Sequence, residues 1–245
     1  MEPVVMGLLG SLGFVVSLFT LFVVAYRRHL RASNHRQGGP PQTARRTKPV
    51  GQIIPLEPPT HWLAINSTNT GVIREAMGLH PQVAPRWSEA LDRLNEHAVF
   101  VSAPVDGWSL VVGGALPDLE HDVDELFHFL MRVSLAVGEV QFFHFNRFDQ
   151  SHGWARLKCG RVIRAYAWSG STLWNQGPMT LDEQLLGLRC QPYGDEAELA
   201  GLGEPPPGQH NGERVMSLAS RWSVDLIAAS EILLAQEAEK LDDNR

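Results

Sequence analysis

Cysteine and lysine are the scarce residues of this chain. Its 245 residues include two cysteines, Cys159 and Cys190, too few for the disulfide framework that staples small secreted domains. Cys159 has Lys158 and Arg161 beside it, which would favour its thiolate, but a cysteine in a turn is ordinarily a turn residue, and no bridge to Cys190 is expected. Beyond residue 60 the only lysines are Lys158 and Lys240, and no Gly-rich phosphate loop ending in lysine is present. Ser169-Gly170-Ser171 lacks the Gly-x-Ser-x-Gly elbow of the serine hydrolases. No repeat with a period of about 20 to 50 residues is visible, which excludes solenoids and propellers. Charge is missing from one stretch altogether: from Pro3 to Tyr26 the Tyr26 phenol is the only ionisable side chain.

That uncharged stretch is 24 residues long, where about 20 cross a bilayer core. It lacks the basic leader, shorter apolar run and small-residue cleavage site of a secretory signal. The spacing predicts a transmembrane helix within residues 1–26, with Tyr26 at the interface and Arg27, Arg28 and Arg31 immediately after it. The positive-inside rule then puts the N-terminus outside and the rest of the chain in the cytoplasm. The expectation is a single-pass protein of the cell inner membrane, with the bilayer as its first partner. Gly7, Gly10, Gly13 and Ser17 offer a close-packing stripe through which the helix could associate weakly with a second copy.

Residues 27–60 read as a linker, with Gly38-Gly39, Pro40-Pro41 and Pro58-Pro59 and little apolar periodicity. This segment has seven Lys or Arg against Glu57 alone. Removing it and Glu2 leaves fourteen basic and twenty-five acidic residues, so residues 61–245 have a net charge of about -11. An acidic domain of that kind is a poor ligand for nucleic acid, whose phosphates require clustered Lys and Arg. The basic linker suits anionic headgroups instead.

Residues 61–245 read as one α+β domain, mainly an antiparallel sheet of hairpins with packed helices. Strands are expected at Trp62–Ile65, Ala98–Ala103, Trp108–Val112, Val140–Phe145, His152–Leu157 and Val162–Trp168. Helices are expected over Val72–Leu79, after a Ser88 cap, from an Asp118 cap to Gly138, from the Thr180/Glu183 capping box to Leu188, over Glu213–Arg221, and after a Ser223 cap. Glu120, Asp122 and Asp124 would occupy the first turns of the long helix, where they complement its dipole.

The stretches VFVSAPVDGWSLVVGG (99–114), GEVQFF (138–143), GWARLKCGRVIRAYAWSG (153–170), LWNQGP (173–178) and RWSVD (221–225) resemble an uncharacterised family of bacterial proteins. The resemblance covers about 62–225. It implies a bacterial source and a single domain to which the membrane span is an addition, and it supplies no catalytic residues.

No catalytic residue is assigned from the residues themselves, and nothing in them calls for a cofactor or a bound metal. The nearest approach to an active site is His144, Asp149 and His152, types that bind zinc or move protons, although scattered strand histidines are more often packed than ligating. His121, Glu125 and His128 would share one helical face, opposite the apolar stripe. Binding candidates are Arg164, Arg156 and Trp174. With Cys159-Gly160 as a two-residue turn, Arg156 pairs with Ile163 and Arg164 with Ala155, putting the arginines on opposite faces of the hairpin. Arg164 would share its face with Leu157, Val162 and Tyr166 and point inward, either paired with a carboxylate such as Glu139 or anchoring an anion or acidic peptide. Trp174 would be a core plug or a ligand platform. The function expected is that of a membrane-tethered recognition domain with a protein partner, an adaptor or toxin-neutralising protein. The alternative is a metal-dependent hydrolase on His144, Asp149 and His152.

Overall fold

A computed structural model describes residues 58–79, 86–94, 96–194 and 211–242. The predicted span and nearly all of the linker lie outside them. Among the described residues no helix is long and apolar enough to cross a membrane.

Among the described residues seven strands and six helices follow one another: β1 (His61–Ile65), α1 (Thr70–Ala76), α2 (Trp87–Asp92), β2 (Phe100–Val101), β3 (Ser109–Val112), α3 (Val123–Val137), β4 (Glu139–Asn146), β5 (Ser151–Lys158), β6 (Arg161–Trp168), β7 (Thr172–Gln176), α4 (Leu181–Leu185), α5 (Gly212–Trp222) and α6 (Leu226–Asp242). The strands form one antiparallel sheet in the order β2-β3-β1-β4-β5-β6-β7. The fold is α+β. β4 to β7 are a meander in which each strand turns back on its neighbour, whereas β1 is inserted between β3 and β4.

Both faces of the sheet are covered, so its strands bury side chains on each side rather than alternating apolar with polar. On one face Trp62, Phe143, Trp154 and Tyr166 pack against Val215, Leu218 and Trp222 of α5, together with residues of α2 and α6. On the other, Leu63, Phe142, Ala155 and Leu157 pack against Leu126, Leu130 and Val133 of α3 and Ile73 of α1. Tryptophans and other aromatics fill the first face, and shorter aliphatic side chains most of the second.

Three helix caps differ from those expected. The long helix begins at Val123, one turn later than an Asp118 cap would require, because Asp122 accepts hydrogen bonds from the amides of Asp124 and Glu125. Asp118 and Glu120 therefore stay in the preceding turn. Ser88 lies within α2, whose first amides, those of Trp87 and Ser88, donate to Glu237 from α6. Ser223 ends α5 by donating its hydroxyl to Ala219 O, and Asp225 accepts from the amide of Ala228 at the start of α6. The Thr180/Glu183 capping box forms as expected.

The β5–β6 hairpin turns at Cys159 (φ 48°) and Gly160 (φ 70°), the left-handed pair a two-residue return needs. Lys158 faces Arg161 and Leu157 faces Val162, but the register then shifts and Arg156 faces Arg164. Ile163 is the extra residue of a bulge, which turns every following β6 side chain to the other face. The expectation of opposite faces is thereby corrected. Both arginines lie on the face of Trp154 and Tyr166, while Leu157 and Val162 pack on the other.

The bulge leaves the Ile163 carbonyl close to Gly177, where an added Cβ would lie 2.3 Å from that oxygen on a backbone with φ of 78°. Gly177→Ala therefore faces both a backbone clash and a left-handed conformation. Urea melts of this variant should show a loss of about 2 kcal/mol or more. A change under about 0.5 kcal/mol would mean that the β7 end moves freely away from the bulge.

Candidate functional site

Arg164 is 1% exposed, and its donors all meet acceptors from within the chain. Nε donates to Glu183 Oε1 at 2.8 Å, Nη1 to Asn175 Oδ1 and the carbonyls of Ala165, Gln176 and Gly177, and Nη2 to Cys190 Sγ. Glu183, also fully buried, accepts from Trp154 Nε1 at 2.7 Å and from the Thr180 amide at 2.6 Å. The capping box of α4 thus doubles as the anionic half of a buried ion pair. Burial pushes the Cys190 thiol up to about 12, against the pull of the neighbouring Arg164 charge, so Cys190 is a neutral packing group at ordinary pH.

Arg156, at the margin of the same face, takes Glu139 through Nε and Nη2 at 2.9 and 2.8 Å. It is the carboxylate that the sequence offered to Arg164. Trp174 lies in β7, a strand not among those expected from the sequence. It is 8% exposed, meets Phe127 edge to face, and donates to Gln176 Oε1.

His144, Asp149 and His152 do not converge. His144 faces Gly153 across β4 and β5 while Phe145 faces His152, so the two imidazoles project from opposite faces of the sheet. Asp149 is exposed and accepts from Asn146 Nδ2 at 2.8 Å. His152 lies among Trp154, Tyr166 and Asn211. His121 precedes α3, so it cannot share a helical face with Glu125 and His128, and His128 bonds through Nδ1 to Asp124 O.

His144 has other companions. The β1–β4 register sets it directly opposite His61, with the rings stacked at 6.1 Å. The turn before α3 reaches over both. Leu119, 1% exposed, is buried under Gly153, and its neighbours Asp118 and Glu120 are thereby aimed at His144. Asp118 Oδ1 lies 3.7 Å from His144 Nδ1, and Glu120 Oε1 lies 3.4 Å from Nε2. Ser151 Oγ is 2.8 Å from Nε2 and donates its own proton to Glu120.

Hydrogen bonding from His144 and Ser151 holds the Glu120 carboxyl down to about 2, against the upward pull of partial burial. Burial lowers the His61 pKa, Asp118 raises it in part, and His144 lowers it further. Both ring nitrogens of His61 and Nδ1 of His144 are buried without a hydrogen-bond partner. Of this group the sequence singled out only His144 as a site residue. In the sequence His61 marks the start of the domain, and Asp118 and Glu120 have the pattern of helix-end residues. The one signal for the cluster, a β1–β4 pairing, is tertiary.

Comparison with family models, with curated proteins and with solved structures finds no match.

Proposed function

We propose that the chain is a membrane-tethered recognition protein of the bacterial inner membrane, whose α+β domain binds a segment of another protein in the cytoplasm. An adaptor or a toxin-neutralising role belongs to this class. The tether rests on the uncharged run from Pro3 to Tyr26 and the arginines that follow it.

The observation that carries the binding reading is the difference between the two sheet edges. At β7 the Asn175 amide donates to Tyr193 Oη and its side chain to Gln191 O, so the chain itself covers that edge. At β2 the strand is two residues long and clefts lie on both sides of Val101–Ala103. One, about 310 Å³, has walls from Trp87, Phe100, Leu233 and Glu237. The other, about 240 Å³, has walls from Thr68, Thr70, Arg74 and Pro104. An edge with side-chain clefts above and below suits an extended peptide, which adds a strand by main-chain hydrogen bonds and places alternate side chains in the two clefts.

A photo-crosslinking residue at exposed Ala103, in the full chain in its own membrane, tests this. It should give a discrete adduct that a residue at Leu135, exposed on α3, does not give. Adding Val101→Pro, which removes one edge amide, should abolish that adduct. Equal adducts from both positions, or none from Ala103, would overturn the reading.

A further inference from the structure

We propose that His61, Asp118 and His144 form a site for one divalent transition-metal ion of the zinc class, with Ser151 and Glu120 as the groups that orient His144. The site is independent of the β2 edge.

Hydrogen bonding fixes the tautomer of His144. Glu120 is a carboxylate and only accepts, and the Ser151 hydroxyl donates to it. The Ser151 oxygen is then free to accept from His144 Nε2 at 2.8 Å, which puts the imidazole proton on Nε2. Nδ1 of a neutral ring is left with a bare lone pair. That lone pair is fully buried, has no donor, and faces the Asp118 carboxylate at 3.7 Å. Two acceptors facing each other repel unless a cation lies between them. His61 adds a second imidazole, and one ligand atom from each of the three residues lies within 4.8 Å of the other two.

Two nitrogens and one carboxylate oxygen are the donor set of zinc and its neighbours, not of calcium or magnesium, which take oxygen cages. Ligand atoms about 2.0–2.2 Å from a tetrahedral ion are about 3.4 Å apart. The His144–Asp118 separation is already close to this, and the separations to His61, within 4.8 Å, have to close by no more than about 1.4 Å. Ser151 and Glu120 match the common outer arrangement in which a ligating histidine gives its other N–H to a hydroxyl or carboxylate chain. Asp118, 39% exposed, opens the site to solvent, which gives the ion a way in and leaves a fourth position for water.

A proton on Nδ1 is the competing cation, so the experiment has to separate the two. The full chain, purified in detergent without a polyhistidine tag and stripped with a chelator, is titrated at pH 7.5 with Co²⁺ followed by Zn²⁺ competition. One equivalent of Co²⁺ should bind with visible absorption of four- or five-coordinate intensity, and Zn²⁺ should displace it. His61→Gln and Asp118→Asn, both at positions less buried than His144, should each weaken binding by about 10- to 100-fold or more while far-UV dichroism is retained. Ser151→Ala should weaken it less and shift the Co²⁺ spectrum. No stoichiometric binding by the wild-type chain would overturn the proposal. Binding that survives both His61→Gln and Asp118→Asn unchanged would place the ion elsewhere and overturn it equally.

Discussion

Replacing Arg164 by alanine should lower the unfolding free energy by about 3 to 5 kcal/mol in urea melts, whereas Arg156→Ala should cost no more than about 1 kcal/mol. The two arginines face each other across one hairpin and each holds a glutamate, so the contrast is one of burial. Arg156 is 38% exposed at the side chain, and its loss leaves Glu139, 13% exposed at the side chain, with some access to water and with Gln141 Nε2 at 3.4 Å. The side chains of Arg164 and Glu183 are 2% and 0% exposed, and removing the guanidinium leaves a carboxylate with the Trp154 and Thr180 donors and the weak Cys190 thiol at 3.9 Å, in a site water does not reach. A second variant separates charge from packing. Arg164→Met with Glu183→Gln removes both charges and should recover a large part of the loss, because unpaired burial, not the absence of attraction, is the main cost. An Arg164→Ala variant within about 1 kcal/mol of the wild type would sink this account and free Arg164 for the anion-anchoring role its chemistry also allows.

The hairpin shows how far local pattern reaches. Cys159-Gly160 is legible as a two-residue turn, and β4, β5 and β6 as runs of bulk, because turn chemistry and strand composition are properties of adjacent residues. The bulge at Ile163 is not legible, since it answers to the approach of Gly177 and the partners awaiting Arg164 across the sheet. It reverses the faces while leaving Arg164 inward. β7 was hidden for a similar reason: Thr172–Gln176 lies between Gly170 and Gly177, both with positive φ, and its short run reads as a loop until β6 pairs with it. The misplaced caps follow the same rule. Ser88 and Ser223 are good capping residues locally, but Glu237 and Asp225 reach the amides instead.

The candidate metal cluster was less legible than the fold. His61, Asp118 and His144 come from the first strand, a turn and the fourth strand, and only the insertion of β1 between β3 and β4 brings the two histidines face to face. Spacing arguments favour residues close in sequence, which is why His144, Asp149 and His152 stood out. Alternation then defeats that triad, because residues 144 and 152 pair one step out of phase across β4 and β5 and so point to opposite faces.

His152, excluded from that cluster, should make the protein sensitive to acid. Burial lowers its pKa from the usual 6.5 to about 4, with the Gln150 carbonyl pulling the other way and His144 adding to the lowering. Asn211 donates to Nε2, so the neutral ring has its proton on Nδ1, toward the Gln150 carbonyl. Trp154 and Tyr166 pack around it, and among the described residues no carboxylate forms a hydrogen bond or ion pair with the ring to favour the charged form. As pH falls below 6.5 the unfolded chain takes up a proton that the folded chain refuses until about 4. The unfolded state therefore binds more protons across that window, and stability must fall with falling pH. The group's full contribution is present above 6.5 and gone near 4, and a shift of this size corresponds to a loss on the order of 3 kcal/mol. Urea melts in the presence of chelator, at steps from pH 7.5 to 4.5, should show that decline, and His152→Phe should flatten most of it. His61, whose pKa is also lowered, contributes in the same direction, so a residual slope in the variant is expected. Glu120 does not enter this window, because its depressed carboxyl releases its contribution only between about 4.5 and 2. A His152→Phe slope equal to that of the wild type would mean that the imidazole is charged in the folded state, and the neutral hydrogen-bonded arrangement with Asn211 would have to be abandoned.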